Sequence, residues 1–325
     1  ANTITKTSQG LSATTKSIRV ARTEMEEFGK QSFLAVKRFA AFSLAAGPIY
    51  GLVNAITSGF KAFIQFDREL VRLQQVSGKS AMGVKGLADE ITRLATGLGV
   101  SSEKLMNVAT TLAQAGLSVR DTTTALEALA KTDLAPSFDD ITETTEGAIA
   151  AMRQFGLQAT DLESALGSIN AVAAAFAVES SDIITAIQRT GGVFAAASKG
   201  VSEGKDALNE FIAVFTSVRA TTRESAETIA TGLRTIFTRV QRSKTIEQLK
   251  EFGVNLQDLE GKFVGPYEAV KRLSEALNQL DPRDIRFSTI VEELGGFRQI
   301  GKVIPLIQQF TTAQQALAIA QKGQS

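Results

Sequence analysis

Gly99-Val100-Ser101-Ser102-Glu103-Lys104-Leu105-Met106-Asn107-Val108-Ala109-Thr110-Thr111-Leu112-Ala113-Gln114-Ala115-Gly116-Leu117-Ser118 holds one complete unit of the pattern that sets the fold class. Leu105, Val108, Ala109 and Leu112 recur at helical spacing and make one apolar face. A glycine, an apolar residue and a serine stand on either side. Glycine takes the left-handed backbone that ends a helix, and the apolar residue folds back over the last turn. The serine hydroxyl then caps the free amides of the next helix. The same punctuation recurs at Gly156-Leu157-Gln158-Ala159-Thr160, Gly200-Val201-Ser202 and Gly253-Val254-Asn255.

An acid or amide three residues after the cap completes a capping box. Thr160-Asp161-Leu162-Glu163, Thr221-Thr222-Arg223-Glu224 and Thr245-Ile246-Glu247-Gln248 fit it, and Ser118 to Asp121 and Ser137 to Asp140 are shorter-armed versions. Ile183, Ile184 and Ile187 keep helical spacing, and Pro136, Pro266 and Pro282 fall at helix starts or loops. No alternating strand pattern with hairpin turns occurs. The glycines stand 17, 40, 44 and 53 residues apart, so no repeat period links them. The region from residue 67 to 310 is therefore expected to be a compact all-α domain with short glycine-capped turns.

Working outward, Ile4, Leu11, Ile18 and Met25 lie seven apart, followed three residues later by Thr7, Thr14, Ala21 and Phe28. A seven-residue apolar repeat makes a narrow seam that winds into a left-handed coiled coil. The segment 1–32 reads as such an oligomer seam, or as one amphipathic helix laid on the rest of the chain. Residues 33–66 are the most apolar. From Phe39 to Phe60, 22 residues carry no charge, and about 20 apolar residues suffice to cross a bilayer. Phe39, Phe42, Leu44, Ile49, Leu52, Val53, Ile56 and Phe60 form the candidate membrane or interface segment. Gly47-Pro48, Gly51 and Gly59 interrupt it, which favours a buried or inter-subunit helix pair broken at Gly47-Pro48. Residues 311–325 read as the start of a further helix, as if cut from something longer.

The chain has no cysteine and no histidine. Disulfides, thiolate nucleophiles, Cys/His zinc sites and the usual proton shuttle near neutrality are excluded. The 35 basic and 34 acidic residues leave no overall footprint for nucleic acid. The 19 phenylalanines against two tyrosines point to core and interface packing. Ala1 to Gly10 carries no signal-peptide pattern, so synthesis and retention in the cytoplasm are expected.

Chemical motifs match in letters only. Gly200-Val201-Ser202-Glu203-Gly204 spells a nucleophile elbow, yet no histidine can take the proton and no strand precedes it. Ser202 reads as a helix cap. Gly200 to Lys205 is one residue short of a phosphate loop, with Asp206 where Ser or Thr belongs. Gly97-Leu98-Gly99 lacks the third glycine of a dinucleotide fingerprint. Asp139 and Asp140 suit the first turn of a helix, where negative charge complements the dipole. Glu292 and Glu293, adjacent on a helix, face different ways. Arg219 to Lys250 is locally basic, and spacings of 11 and 8 place Arg223, Arg234 and Arg242 within about a quarter-turn of one another. That makes a candidate DNA-facing patch, or a solvated face. No catalytic, cofactor or metal site is expected.

From Phe66 to Phe310 the chain resembles the conserved helical region of phage tail tape-measure proteins. The stretches that carry the likeness come in the family's order. They are Phe66-Asp67-Arg68-Glu69-Leu70, Leu94-Ala95-Thr96-Gly97-Leu98-Gly99 with its Ser101-Ser102-Glu103 cap, and Leu112-Ala113-Gln114-Ala115-Gly116. Phe155-Gly156-Leu157, Gly232-Leu233-Arg234-Thr235-Ile236-Phe237, Phe252-Gly253-Val254 and Glu293-Leu294-Gly295-Gly296-Phe297-Arg298 follow. The resemblance implies a non-enzymatic virion component, a few copies of which occupy the tail lumen and set tail length. It also implies contact with tail tube and tip proteins, release during genome delivery and, in some relatives, contact with the host membrane. A continuous helix of 325 residues would span roughly 490 Å at 1.5 Å per residue. The caps forbid such a rod beyond Phe66, so this portion is expected to be a folded module and not the ruler. The competing reading is a membrane-active helical protein inserting through residues 39–60. Charged substitutions at Leu44 and Leu52 separate the two in the assembled particle. Normal tails that fail to deliver genome indicate a membrane role; failed assembly indicates packing.

Overall fold

The computed structural model describes residues 68–324, apart from Ser77, Lys79, Ser80 and Asp139. The chain divides into two units, Ala1–Arg68 and Glu69–Ser325. The seam Ile4, Leu11, Ile18, Met25 and the apolar stretch Phe39 to Phe60 lie outside the described residues.

Residues 68–76 are helical. Fourteen α-helices follow, beginning with α1 (Ala81–Leu98), α2 (Ser102–Gln114), α3 (Val119–Thr132), α4 (Ile141–Phe155) and α5 (Leu162–Phe176). Next come α6 (Ser180–Ala186), a π-helical turn Ile187–Gly191, α7 (Gly192–Ser198), α8 (Gly204–Thr222) and α9 (Ala226–Val240). The last five are α10 (Ser243–Glu251), α11 (Pro266–Leu277), α12 (Ile285–Gly295), α13 (Ile300–Gln308) and α14 (Phe310–Lys322). No strand occurs among the described residues; Gln257 and Phe263 form one isolated antiparallel bridge. The fold is all-α, as its punctuation requires.

The core is organised around α8. Ala207, Leu208, Asn209 and every residue from Phe211 to Val218 are buried. A helix that is buried on all sides, here with Asn209, Thr216 and Ser217 among its apolar residues, must be enclosed by others. The neighbours α4, α5, α7, α9, α13 and α14 pack against it. Four rings from four helices meet at its centre. Phe211 of α8 lies 6.1 Å from Phe155 of α4 and 5.5 Å from Phe194 of α7, and Phe194 lies 5.0 Å from Phe237 of α9. The tilted and edge-on arrangements suit the ring quadrupoles.

Small residues bring the last helix close. Phe310, Ala313, Ala316 and Ala320 of α14 are buried, and the helix packs on α5 and α8 within this unit. Ser168 Oγ of α5 donates to the Ala320 carbonyl at 2.9 Å. The π turn serves a similar purpose. It lets Gly191 sit against Gln154 and Phe155, where a side chain would overlap both. Thr190 Oγ1 then donates to the Ala230 carbonyl of α9 at 2.7 Å.

The helix ends test the caps one by one. Ser101 and Ser118 cap α2 and α3 as expected, accepting from the amides of Lys104 and Asp121. Leu117 and Val254 fold back to bond the carbonyls of Leu112 and Leu249. Five readings need correction. The box expected at Thr160 forms two residues earlier, between Gln158 and Asp161, because a 3-10 turn, Ala159–Asp161, precedes α5. Thr221 and Thr222 end α8 and return their hydroxyls to the carbonyls of Ser217 and Val218, and Ser225 caps α9 instead. Thr245 is buried inside α10. Asn255 opens a turn, bonding the Gln257 amide, and caps no helix. Asp140, expected in a first turn, is itself the N-cap of α4.

Glycines on helices separate propensity from packing. Gly86 on α1 has open space around it, whereas a methyl on Gly147 of α4 would overlap Ile184 Cγ2. Gly86→Ala is therefore expected to stabilise by about 0.5–1 kcal/mol. Gly147→Ala is expected to destabilise by about 1–3 kcal/mol, because overpacking outweighs propensity. Urea unfolding of both variants checks the opposite signs, and two shifts in one direction contradict the packing.

Candidate functional site

Two turns and two helices build the most chemically distinctive cleft. After α7 ends at Ser198, the chain reverses through Gly200, whose φ of 81° only glycine adopts without strain. The amides of Val201 and Ser202 both bond the Ser198 carbonyl at 2.9 Å, and the Gly200 amide bonds Glu203 Oε1 at 3.0 Å. Glu203 is the N-cap residue of α8, so Ser202, read from sequence as the cap, is not one. The second turn runs from Asn255 to Gly265. Asp258 Oδ1 accepts from the amides of Glu260 and Lys262, each at 2.8 Å, and Leu259 stands fully exposed at the tip.

Arg272 of α11 ties this turn down. Its Nη1 donates to the carbonyls of Asn255 and Gln257 at 2.9 and 3.2 Å, and its Nε donates to Glu268 Oε1 at 3.0 Å. Gly265 brings the two turns together, since a Cβ there would stand 3.3 Å from Val201 Cγ1. Ser198, Val201, Glu210, Asp258, Tyr267, Glu268 and Arg272 line a cleft of about 400 Å³.

The electrostatics of this cleft centre on Glu210. Burial pushes its carboxyl up to about 7, reinforced by the charges of Asp206 and Glu268 and partly opposed by the Ser202 hydroxyl. Burial and the carboxylates of Glu210 and Glu268 raise the Tyr267 phenol to about 12. Among the described residues Glu268 has cationic partners in Arg272 and Lys271, while Glu210 makes no ion pair. No group of three or more acidic side chains among them is placed to hold a metal ion.

The other sequence candidates disperse. A helix precedes Gly200-Val201-Ser202-Glu203-Gly204, not the strand an elbow needs. Glu292 and Glu293 are neighbours on α12. The spacing behind the basic face does not carry over, because Arg223, Arg234 and Arg242 stand on three different elements. Arg223 ends α8 in a left-handed conformation and donates to the Ala177 carbonyl at 2.9 Å. Arg234 lies on α9 and Arg242 in the link to α10. Arg219 is drawn inward to Asp182 at 2.9 Å. A second cleft, of about 340 Å³, forms where Gly116-Leu117 meets Gly156-Leu157, with Ile149 and Met152 in its wall. There Arg153 donates to the Ala115 carbonyl. Sequence reading missed Glu210, Tyr267 and Arg272, which share no motif. The available signal was Glu210 itself, the single acid inside the apolar run Ala207 to Val218.

The raised Glu210 pKa makes a signed prediction. The folded state holds this proton more tightly than the unfolded chain, so stability falls as pH rises from about 4.5 through 7. After allowance for solvent screening the loss is on the order of 1–2 kcal/mol. Glu210→Gln should flatten that slope and raise the melting temperature at pH 8. An unchanged slope would mean that the carboxyl is not perturbed.

Residues 88–296 match the family model described as phage-related minor tail protein. No solved structure matches the chain. The match spans the turns, the central helix and both clefts, and covers well over half of the 325 residues. The chain therefore belongs to the phage-related minor tail protein family.

Proposed function

We propose that this chain is the folded module of a tape-measure protein, and that it acts by assembly and not by catalysis. The ordered set of tape-measure-like stretches carries the reading. Leu112 to Gly116, Phe155 to Leu157, Gly232 to Phe237 and Glu293 to Gly296 all fall inside the region that matches the minor tail family. In this reading a few copies associate through the seam Ile4, Leu11, Ile18 and Met25, and sit in the tail lumen or tip against tube and tip proteins. They leave the tail during genome delivery. The division of labour is physical. A helix advances about 1.5 Å per residue and can act as a ruler, whereas here α4, α5, α6, α7, α9, α11, α13 and α14 pack around α8 and form no continuous rod. Among the described residues no helix is long and apolar enough to cross a membrane.

Ruler and module can be told apart in the phage. Inserting about 28 flexible residues at the exposed turn around Leu259 should leave tail length unchanged, whereas the same number added as continuous helix to a ruler would lengthen it by about 42 Å. Tails lengthened by that amount, measured by electron microscopy, would contradict the module reading.

A further inference from the structure

We propose that the cleft between α7, α8, α11 and the Asn255–Gly265 turn receives a lysine side chain from a protein partner, with the Glu210 carboxylate as its counter-charge. Three independent features meet there. Glu210 is a half-buried carboxylate that makes no ion pair among the described residues, whereas its neighbour Glu268 is already matched by Arg272 and Lys271. Ser198 lines the same cleft, is wholly buried, and its Oγ has no hydrogen-bond partner. A buried hydroxyl left unbonded is costly, and an ammonium donor would satisfy it. Tyr267 adds an aromatic ring to the wall, a group that attracts a cation to its face.

The size and donor set select the guest. A chelated metal needs several converging oxygen ligands, and no such group exists among the described residues. A guanidinium calls for a planar fork of acceptors, whereas an ammonium needs one carboxylate and one or two further oxygens. The lining suits the aliphatic stem, because Val201, 58% exposed, and Val264 stand in it with the carboxylates. A lysine flanked by apolar residues on a neighbouring tail protein fits both. This inference stands apart from the ruler reading, since binding in vitro succeeds or fails whatever sets tail length.

The test uses the full chain and two small probes followed by NMR. One is Nα-acetyl-lysine methylamide; the other is Nα-acetyl-norleucine methylamide, which keeps the stem and lacks the ammonium. The lysine probe should bind saturably and shift the Tyr267 ring resonances, and the norleucine probe should bind at least about tenfold more weakly. Glu210→Gln should weaken the lysine probe by a similar factor, while Tyr267→Phe, which keeps the ring face, should retain it. Binding should tighten between pH 6 and 8, as Glu210 ionises among Asp206, Asp258, Glu268, Lys271 and Arg272. Equal binding of the two probes, full binding by Glu210→Gln, or calcium binding at Glu210 with no response to the lysine probe would each overturn the assignment.

Discussion

A helix buried on every side has to be surrounded, and α8 is that helix. From Phe211 to Val218 each residue is buried, so its sequence demands neighbours on every side before the domain can fold. The phenylalanines of α4, α7 and α9 meet around Phe211 and supply bulk. The alanines of α14 supply close approach. At the far end of α8 the enclosure becomes polar. Arg219 pairs with Asp182 of α6, and Arg223 turns into the left-handed region to reach the Ala177 carbonyl. Ala177 and Arg223 are the two non-glycine residues with positive φ among the described residues. Their bond joins the end of α5 to the end of α8, so local strain there accompanies the closing of the core.

The same enclosure creates the cleft. Glu210 lies on α8 immediately before the fully buried run, and α11 with its preceding turn covers it only in part. Partial cover raises the carboxyl without removing it from solvent. In the proposed reading this site serves recognition. A serine stands near a carboxyl, but the chain has no histidine to relay a proton, and the element before Gly200 is a helix. Family membership and site chemistry thus agree on a role in which surfaces meet other tail components.

Features that depend on a few adjacent residues were legible in the sequence. Gly116-Leu117-Ser118 folds as read because its glycine, its fold-back bond and its cap all lie within seven residues of one another, Leu112 to Ser118. Thr221-Thr222-Arg223-Glu224 did not fold as read, because burial through Val218 carries α8 onward and the hydroxyls bond back within the helix. The quarter-turn spacing of Arg223, Arg234 and Arg242 does not carry over either, since the three belong to different elements. The cleft was the least legible feature. Glu210 and Tyr267 are brought together by α11 packing across the start of α8, and spacing along the chain carries no trace of that.

Electron cryomicroscopy of the assembled particle tests the central claim directly. The account requires density for the unit Glu69–Ser325 in the tail lumen or tip, in a few copies, with α8 enclosed as described. Density for this unit on the capsid, or its absence from finished tails, would contradict it.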